Sequence, residues 1–282
     1  DVVEDALRNG VDLEIPSVRG GKPTNVVLKR SDLQAELIGI EDDEGNYNAG
    51  SLIDRAIQMQ GKKPEKGGDN ILVIINDSKQ IALDPRIKNP SYPDNPNSKV
   101  NVMIEHSLEL YKKYDEDKGA MLIFCDMSIP KGNKNSEKEE LEELFRLAEE
   151  GSEDEQLKAE TELEKMSVTE IEAIMSDNNF SVYDDIKEKL IAKGIPEKEI
   201  AFIHDAKTDM QKQSLFEKVR RGDVRYLLGS TSKMGAGTNV QERLCGLFHL
   251  DAPWRPSDIE QREGRIIRQG NKLYSKYGDD FE

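Results

Sequence analysis

A glutamine and two arginines near the end of the sequence have the spacing of one helical face. Gln261, Arg265 and Arg268 are separated by four and then three residues, so a helix would align them in one stripe. An amide and two guanidinium groups are poorly suited to an apolar core. Guanidinium groups bind phosphate through planar, paired hydrogen bonds, so the stripe is a candidate phosphate site. The alternative is the solvated basic face of a surface helix.

A second group of anion-binding residue types follows a predicted strand. Residues 229–239 read Gly-Ser-Thr-Ser-Lys-Met-Gly-Ala-Gly-Thr-Asn and come directly after the apolar run 224–228. Hydroxyl groups, a lysine and the glycines of this stretch allow backbone N–H groups to approach an anionic ligand closely. The alternative is a plain glycine- and serine-rich loop, which is common in α/β proteins.

Capping signals predict the helix that carries the arginine stripe. Ser257 with Glu260 three residues later forms a capping-box pattern, which favours a helix start. Gly270 is the residue type that most often terminates a helix. The helix is therefore expected over residues 257–270.

Apolar strand-like runs alternate with amphipathic segments over the second part of the chain. The predicted strands are residues 120–125, 200–203, 224–228 and 244–250. Further helices are predicted over residues 98–115, 184–192 and 208–221. This alternation indicates βαβ units and thus an α/β fold, with a mostly parallel sheet flanked by helices. Ligands of such sheets bind beyond the carboxyl ends of the strands, where residues 229–239 lie.

An acidic helical insertion is predicted over residues 131–180, where the alternation stops. Lysine- and glutamate-rich helix formers dominate there, and Gly151-Ser152 separates two helical stretches. We interpret the charge as a solvated face, with docking of a partner protein as the less favoured alternative.

The N-terminal part of the chain contains shorter helical signals. Ser31 with Gln34 is another capping-box pattern, and a helix is predicted over residues 51–60. The branched run at residues 71–75 fits a buried strand by propensity and a short buried helix equally well.

Composition and charge limit the class of protein. The chain has 282 residues, of which 36% are hydrophobic and 34% charged, as in a soluble globular protein without a membrane span. The net charge of −16 disfavours nucleic acid as a partner, but the objection is weak because the acid is concentrated between Glu137 and Glu172. Cys125 and Cys245 lie in apolar runs, which predicts buried thiols in a reducing, cytoplasmic compartment.

Together, the two anion-binding groups resemble motifs of superfamily 2 helicases. Residues 230–239 resemble motif V, and residues 261–268 resemble motif VI with its QxxGRxxR pattern intact. The Pro253-Trp254 segment looks like the aromatic segment that precedes motif VI in the Swi/Snf-type branch. Residues 120–128 look like the motif IV strand and its exit loop. The sequence is most similar to the large helicase–methylase proteins of bacterial mobile elements and phages.

This resemblance implies the second RecA-like lobe of an ATP-dependent DNA translocase or helicase. Arg265 and Arg268 would be arginine fingers of an ATP site, and Gln261 would position nucleotide or couple the two lobes. The residues implied on the nucleotide side of motif V are Gly235, Gly237 and Asn239. The residues implied to contact nucleic-acid phosphate are Thr231, Lys233 and Ser128.

The sequence departs from the complete helicase pattern in two respects. It contains no G-x-x-x-x-G-K-[ST] pattern and no DEAH-like box after a strand. The first lobe, which would hold Mg²⁺, is therefore expected in a longer protein, and this chain alone is expected to hydrolyse little ATP. In addition, Met234 stands where the Swi/Snf-type pattern usually has a small residue.

The resemblance also divides the chain and names its partners. Residues 1–95 are expected to form a linker between the lobes, and residues 96–282 the RecA-like lobe with its insertion. The run at residues 71–76 is then expected to be helical. The expected partners are DNA and the first lobe of the same protein, without a membrane.

Other classes of function are weighed against this one. A non-enzymatic α/β module that binds nucleic acid or protein stays open. A dehydrogenase or hydrolase is disfavoured, because neither a strand–GxGxxG–helix nor a nucleophile elbow is present. His204-Asp205 has the residue types of a metal-binding pair but lacks further ligands at suitable spacing, which favours a simple loop histidine.

Overall fold

A four-stranded parallel sheet is the centre of the fold. The computed structural model describes residues 16, 23–61, 69–166, 168–176, 178–234, 239–253 and 255–278. The strands are β1 (Ala120–Phe124), β2 (Ile200–Phe202), β3 (Tyr226–Gly229) and β4 (Leu244–His249). Their order across the sheet is β2-β3-β1-β4, and each neighbouring pair is parallel. The predicted α/β fold with a parallel sheet is confirmed, and each predicted strand overlaps an observed one.

Helices precede, interrupt and flank the sheet in the described part of the chain. In chain order they are α1 (Asp32–Ile38), α2 (Leu52–Gln58), α3 (Ile71–Leu83), α4 (Lys99–Lys113), α5 (Lys134–Glu150), α6 (Glu153–Lys165), α7 (Val168–Met175), α8 (Val182–Ala192), α9 (Asp209–Arg221), α10 (Pro256–Glu263) and α11 (Lys272–Tyr277). Ser31 with Gln34 and Thr208 with Gln211 form full capping boxes, and the Ser98 hydroxyl caps α4. The sequence signals for these three starts are therefore confirmed.

The sheet separates two apolar cores. Met121 and Ile123 of β1 belong to one core, which α4 and α8 cover. Leu122 and Phe124 belong to the core on the opposite face, which α9 covers. Every residue of β1 is buried, as expected for an inner strand of a parallel sheet covered on both faces.

The branched run at residues 71–75 begins α3 and is not a strand. The Asn70 side chain caps the helix by accepting a hydrogen bond from the Val73 N–H. Ile74 and Ile81 on α3 are buried against residues of α1 and α2. Burial of this helical face outweighs the strand propensity of the branched residues, so the helix prediction is confirmed.

The interruption at residues 131–180 is helical, as predicted. It contains α5, α6 and α7, and a capping box of Ser152 with Glu155 begins α6. Leu141 and Ile174 form a small apolar cluster with Ile129, separate from the two cores of the sheet. The segment therefore has only a limited apolar interior of its own.

Cys125 and Cys245 are buried free thiols, as predicted. Burial raises the pKa of both groups, that of Cys245 to about 12, so neither is a reactive thiolate near neutral pH. Within the ranges that the structure describes, no helix is both long enough and apolar enough to cross a membrane.

Candidate phosphate-binding edge of the sheet

The helix that precedes Arg265 and Arg268 is shorter than the sequence signals predicted. It starts at Pro256, with Arg255 as the N-cap, so the capping box of Ser257 with Glu260 does not form. Proline fits the first helical position because its ring presets φ and the missing N–H has no intrahelical partner there. The helix ends at Glu263, because Gly264 favours termination and the next residues form irregular turns, with hydrogen bonds between residues two to four apart.

The predicted single stripe of Gln261, Arg265 and Arg268 is therefore wrong. Gln261 is exposed in the last turn of α10, whereas both arginines lie beyond the end of the helix. Arg265 is buried and Arg268 is exposed. The two arginines follow α10 in the turns of residues 264–270, not on a helical face.

Arg262, which the predicted stripe passed over, is the buried centre of this edge. Its side chain is 0% exposed and lies 4.9 Å from the ring centroid of Phe124. Its guanidinium donates hydrogen bonds to Asp126 at 2.6 Å and to Asp251 at 3.3 Å. Its Nε donates to the Thr231 hydroxyl at 2.8 Å. One side chain thus joins α10 to three separate loops. We call Arg262, Asp126, Thr231 and Asp251 the Arg262 network.

The three loops of the Arg262 network leave adjacent strands. Asp126 follows β1, Thr231 follows β3 and Asp251 follows β4, so all three lie at the carboxyl edge of the sheet. Asp126 also accepts a hydrogen bond from the Thr231 N–H at 2.7 Å, and Asp251 accepts one from the Met127 N–H at 3.0 Å. Two aspartates directly after apolar runs were the sequence signal that could have pointed to a buried arginine partner.

Electrostatics make the arginine central to this network. Burial and the neighbouring Asp126 charge raise the pKa of Asp251, and Arg262 opposes both effects. Burial and Arg262 lower the pKa of His249 to about 4, so this imidazole is neutral at physiological pH. Arg262 is hydrogen-bonded to both carboxyl groups, so it is their principal source of positive charge.

Arg265 and Arg268 lie close enough for their charges to repel each other. Burial and the repulsion of Arg268 lower the pKa of Arg265 to about 10. The segment around them is anchored, because Ile266 packs against the core covered by α9 and Asn271 donates to the Leu244 carbonyl at 2.9 Å. An anionic ligand here would offset the repulsion between the two guanidinium groups.

The predicted nucleotide-side residues of motif V are only partly described. Gly235 and Gly237 lie outside the described residues, as does Trp254 in the segment before α10. Asn239 is exposed, and its backbone carbonyl accepts a hydrogen bond from Arg220 at 2.8 Å. This bond ties the end of the loop to α9.

The predicted nucleic-acid contacts have different surroundings. Ser128 is buried, and its hydroxyl accepts a hydrogen bond from the Val182 N–H at 3.0 Å. The Thr231 hydroxyl is part of the Arg262 network. Lys233 is partly buried, and its N–H donates to the Ser230 hydroxyl at 3.3 Å. Of these predicted contacts, Lys233 alone carries a cationic group.

Two carboxylates of the predicted solvated insertion are buried against this loop. Glu170 on α7 is 1% exposed and accepts hydrogen bonds from the Ser230 and Ser232 hydroxyls. Glu137 on α5 is 5% exposed, and the Lys233 charge acts on its pKa. The interpretation of the insertion as a wholly solvated face is therefore wrong for these two residues. Its sequence could not reveal this, because they sit among many exposed acids.

Replacing Glu137 with glutamine should stabilise the protein at pH 8 and change little at pH 4. Burial raises the pKa of Glu137 from 4.5 to about 7, although Lys233 opposes the change. Protonated Glu137 stabilises the native state fully when the pH is below the pKa of this group in the unfolded chain. This stabilisation is lost as the pH rises through about 7, the pKa in the folded chain. The ionised carboxylate then costs roughly 3 kcal/mol at pH 8. Urea unfolding at both pH values measures this, with exposed Glu160→Gln as the control. Equal stability changes at both pH values would contradict it.

His204 is buried rather than exposed in a loop. It lies in a short 3₁₀ turn, is 4% exposed and packs edge-on against Tyr183 with ring centroids 5.1 Å apart. Burial and the Lys233 charge lower its pKa to about 3, so the imidazole is neutral. Among the described residues, it belongs to no group of side chains positioned to hold a metal ion.

One acidic group in the described part of the chain has metal-like spacing, but basic side chains already neutralise it. It consists of Asp84, Asp94 and Asp185. Arg86 lies within 2.7 to 3.0 Å of all three, and Lys189 lies 2.9 Å from Asp94 and 2.7 Å from Asp185. These ion pairs connect the turn after α3 to α8, which is a structural role.

Comparison with known proteins finds one family model that is similar to part of this chain. Residues 160–270 match the family model described as Helicase conserved C-terminal domain. The matched region spans α7 to α10 and strands β2 to β4, and it begins inside the predicted insertion. No curated protein and no solved structure matches the chain. Over residues 160–270 this chain is therefore similar to the helicase conserved C-terminal domain, a component of ATP-dependent helicase motors.

Proposed function

We propose that this chain is the second motor lobe of an ATP-dependent DNA translocase or helicase of the Swi/Snf type. Residues 96–282 form the lobe, and residues 1–95 link it to a first RecA-like lobe of the same protein. The observation that carries the proposal is the pair Arg265 and Arg268. They follow α10, whose Arg262 is bonded to residues at the carboxyl edge of the parallel sheet, and they lie within the region similar to the helicase C-terminal domain.

The nucleotide side of the proposal rests on electrostatics. A partly desolvated guanidinium beside a second one suits a ligand with several negative charges, as in the triphosphate of ATP. ATP supplies the phosphoryl group that is transferred to water, and arginine fingers offset the charge that develops during transfer. Mg²⁺ is assigned to the first lobe. Gln261, exposed at the end of α10, and Asn239 of motif V are proposed to face the nucleotide, together with Gly235 and Gly237.

The nucleic-acid side centres on Lys233. The hydroxyls of Thr231 and Ser128 already serve the Arg262 network and the start of α8. Their contribution to phosphate binding is therefore expected to be small beside that of the lysine.

Coupling between the two ligands follows from the Arg262 network. Arg262 on α10 is hydrogen-bonded to Thr231, two residues before Lys233. A shift of α10 caused by nucleotide binding would therefore move the loop of residues 230–233, which is proposed to contact DNA. Cycles of lobe closure and opening would then drive stepwise movement along DNA.

Lys233→Ala should weaken DNA binding and lower its salt dependence. Loss of one phosphate contact reduces the slope of log K against log salt concentration by about 1. Equilibrium binding of a labelled DNA over a range of salt concentrations measures both quantities. Lys198→Ala is the matched control, because Lys198 precedes β2 at the opposite edge of the sheet. Equal affinities for the two variants would contradict the proposed nucleic-acid site.

A further inference from the structure

The loop that follows β3 is contacted by carboxylates of the acidic insertion. Glu170 Oε1 accepts a hydrogen bond from the Ser230 hydroxyl at 2.8 Å and from the Ser232 hydroxyl at 2.6 Å. Hydroxyls of this kind are also common donors to the phosphate oxygens of nucleic acid. A buried carboxylate thus holds the donors that an incoming phosphate would use.

Glu137 reaches the same loop from a different helix. A cavity of about 60 Å³ beside the loop is lined by the lysines Lys207, Lys212 and Lys233 and by Glu137, Glu140 and His204. Burial raises the pKa of both Glu137 and Glu170, and the charge of Lys233 opposes this change for each of them. Glu137 thus lines one cavity with Lys233, and Glu170 holds two hydroxyls of the same loop, beside the positive charge that the proposed function assigns to DNA.

The attachment of the insertion to the rest of the fold is modest. The apolar contact of α5 to α7 is the small cluster around Leu141 and Ile174, and Phe145 and Leu157 of the same helices are exposed. Phe180, at the end of the segment, packs against the core that α4 and α8 cover, so the insertion is anchored mainly at that end. A segment with few buried apolar contacts is among the first to open locally. Displacement from the loop therefore need not unfold the sheet.

We infer that residues 131–180 act as an intrinsic competitor of nucleic-acid phosphate, because Glu170 is bonded to hydroxyls of the 230–233 loop and Glu137 lines a cavity with Lys233. This inference rests on the proposed function of Lys233. DNA then binds fully only when the acidic segment moves off the loop. The many exposed acids of the segment add repulsion for DNA as long as the segment stays in place.

The experiment measures equilibrium affinity for a labelled DNA in the full 282-residue chain at pH 8, above the Glu137 pKa of about 7. Glu170→Gln and Glu137→Gln, singly and together, keep side-chain size and remove the competing charge. We expect the double variant to bind on the order of 10-fold more tightly, because like charges near a binding site are costly. Glu160→Gln removes one exposed charge of the same segment away from the loop and should change affinity little. Thermal unfolding confirms that each variant is folded.

The possible outcomes distinguish failure of the proposed competition by residues 131–180 from failure of the proposed nucleic-acid site at Lys233. Unchanged or weaker binding by folded Glu137→Gln and Glu170→Gln variants overturns the inference, since it would mean that the carboxylates only shape the loop. If Lys233→Ala weakens binding in the same series, the proposed nucleic-acid site survives that result. If Lys233→Ala has no effect, the proposed site and the competitor are both overturned.

Discussion

Arg268→Ala should lower DNA-stimulated ATP hydrolysis by about 10³–10⁵-fold in a polypeptide that joins this chain to a first RecA-like lobe. The proposed reason is the loss of a guanidinium that offsets charge on the transferred phosphoryl group. Arg268 is exposed, so its replacement should leave the fold and the DNA affinity nearly unchanged. Steady-state kinetics measure the effect, which is expected mainly in kcat.

Lys272→Ala is the matched control for this experiment. Lys272 is an exposed cation just beyond the same segment and pairs with Glu242 at the surface. Its replacement should change ATP turnover little, because exposed ion pairs contribute weakly. ATP turnover that survives Arg268→Ala would contradict the arginine-finger assignment. The assignment would also be contradicted if the 282-residue chain alone hydrolysed ATP strongly in the presence of DNA and kept this activity after Arg268→Ala.

Arg262→Met should lower the free energy of unfolding by about 3–5 kcal/mol. Methionine retains much of the volume but leaves the buried carboxyl groups of Asp126 and Asp251 without their cation. Chemical denaturation at neutral pH measures the loss. Arg221→Ala, which removes a largely exposed arginine, should cost no more than about 0.5 kcal/mol.

A double variant tests whether the loss arises from the ion pair. Adding Asp126→Asn to Arg262→Met removes one of the uncompensated charges, so the two changes together should cost less than the sum of their separate effects. Simple additivity would mean that Arg262 stabilises the fold through packing on Phe124 and not through its carboxylate partners.

Local signals predicted most of the elements correctly, because they depend on neighbouring residues. The capping boxes at Ser31 and Thr208 formed as expected. The apolar runs at residues 120–125 and 244–250 became parallel strands. These outcomes follow from the intrinsic geometry of caps and of buried strands. The helix at residues 71–76 was predicted only through the resemblance, since its branched composition fits two structures.

The end of α10 and the role of Arg262 could not be predicted in the same way. Three arginines occur within residues 262–268, and spacing alone does not say which one is buried. Arg262 is buried because Asp126 and Asp251 reach it from strands that lie far away in the sequence. A buried arginine is stable only with such partners, and only the folded sheet brings them together.

The sequence by itself determined the α/β class and the helicase-like motifs, and it led to the proposal of residues that contact phosphate. Tertiary structure alone decided which charged groups are buried together. Arg262 lies inside a network with two aspartates, and Glu137 and Glu170 of the acidic insertion lie against the loop at Ser230–Lys233. The physical reason is that a buried charge depends on partners supplied by distant segments, whereas caps and strand patterns depend on adjacent residues.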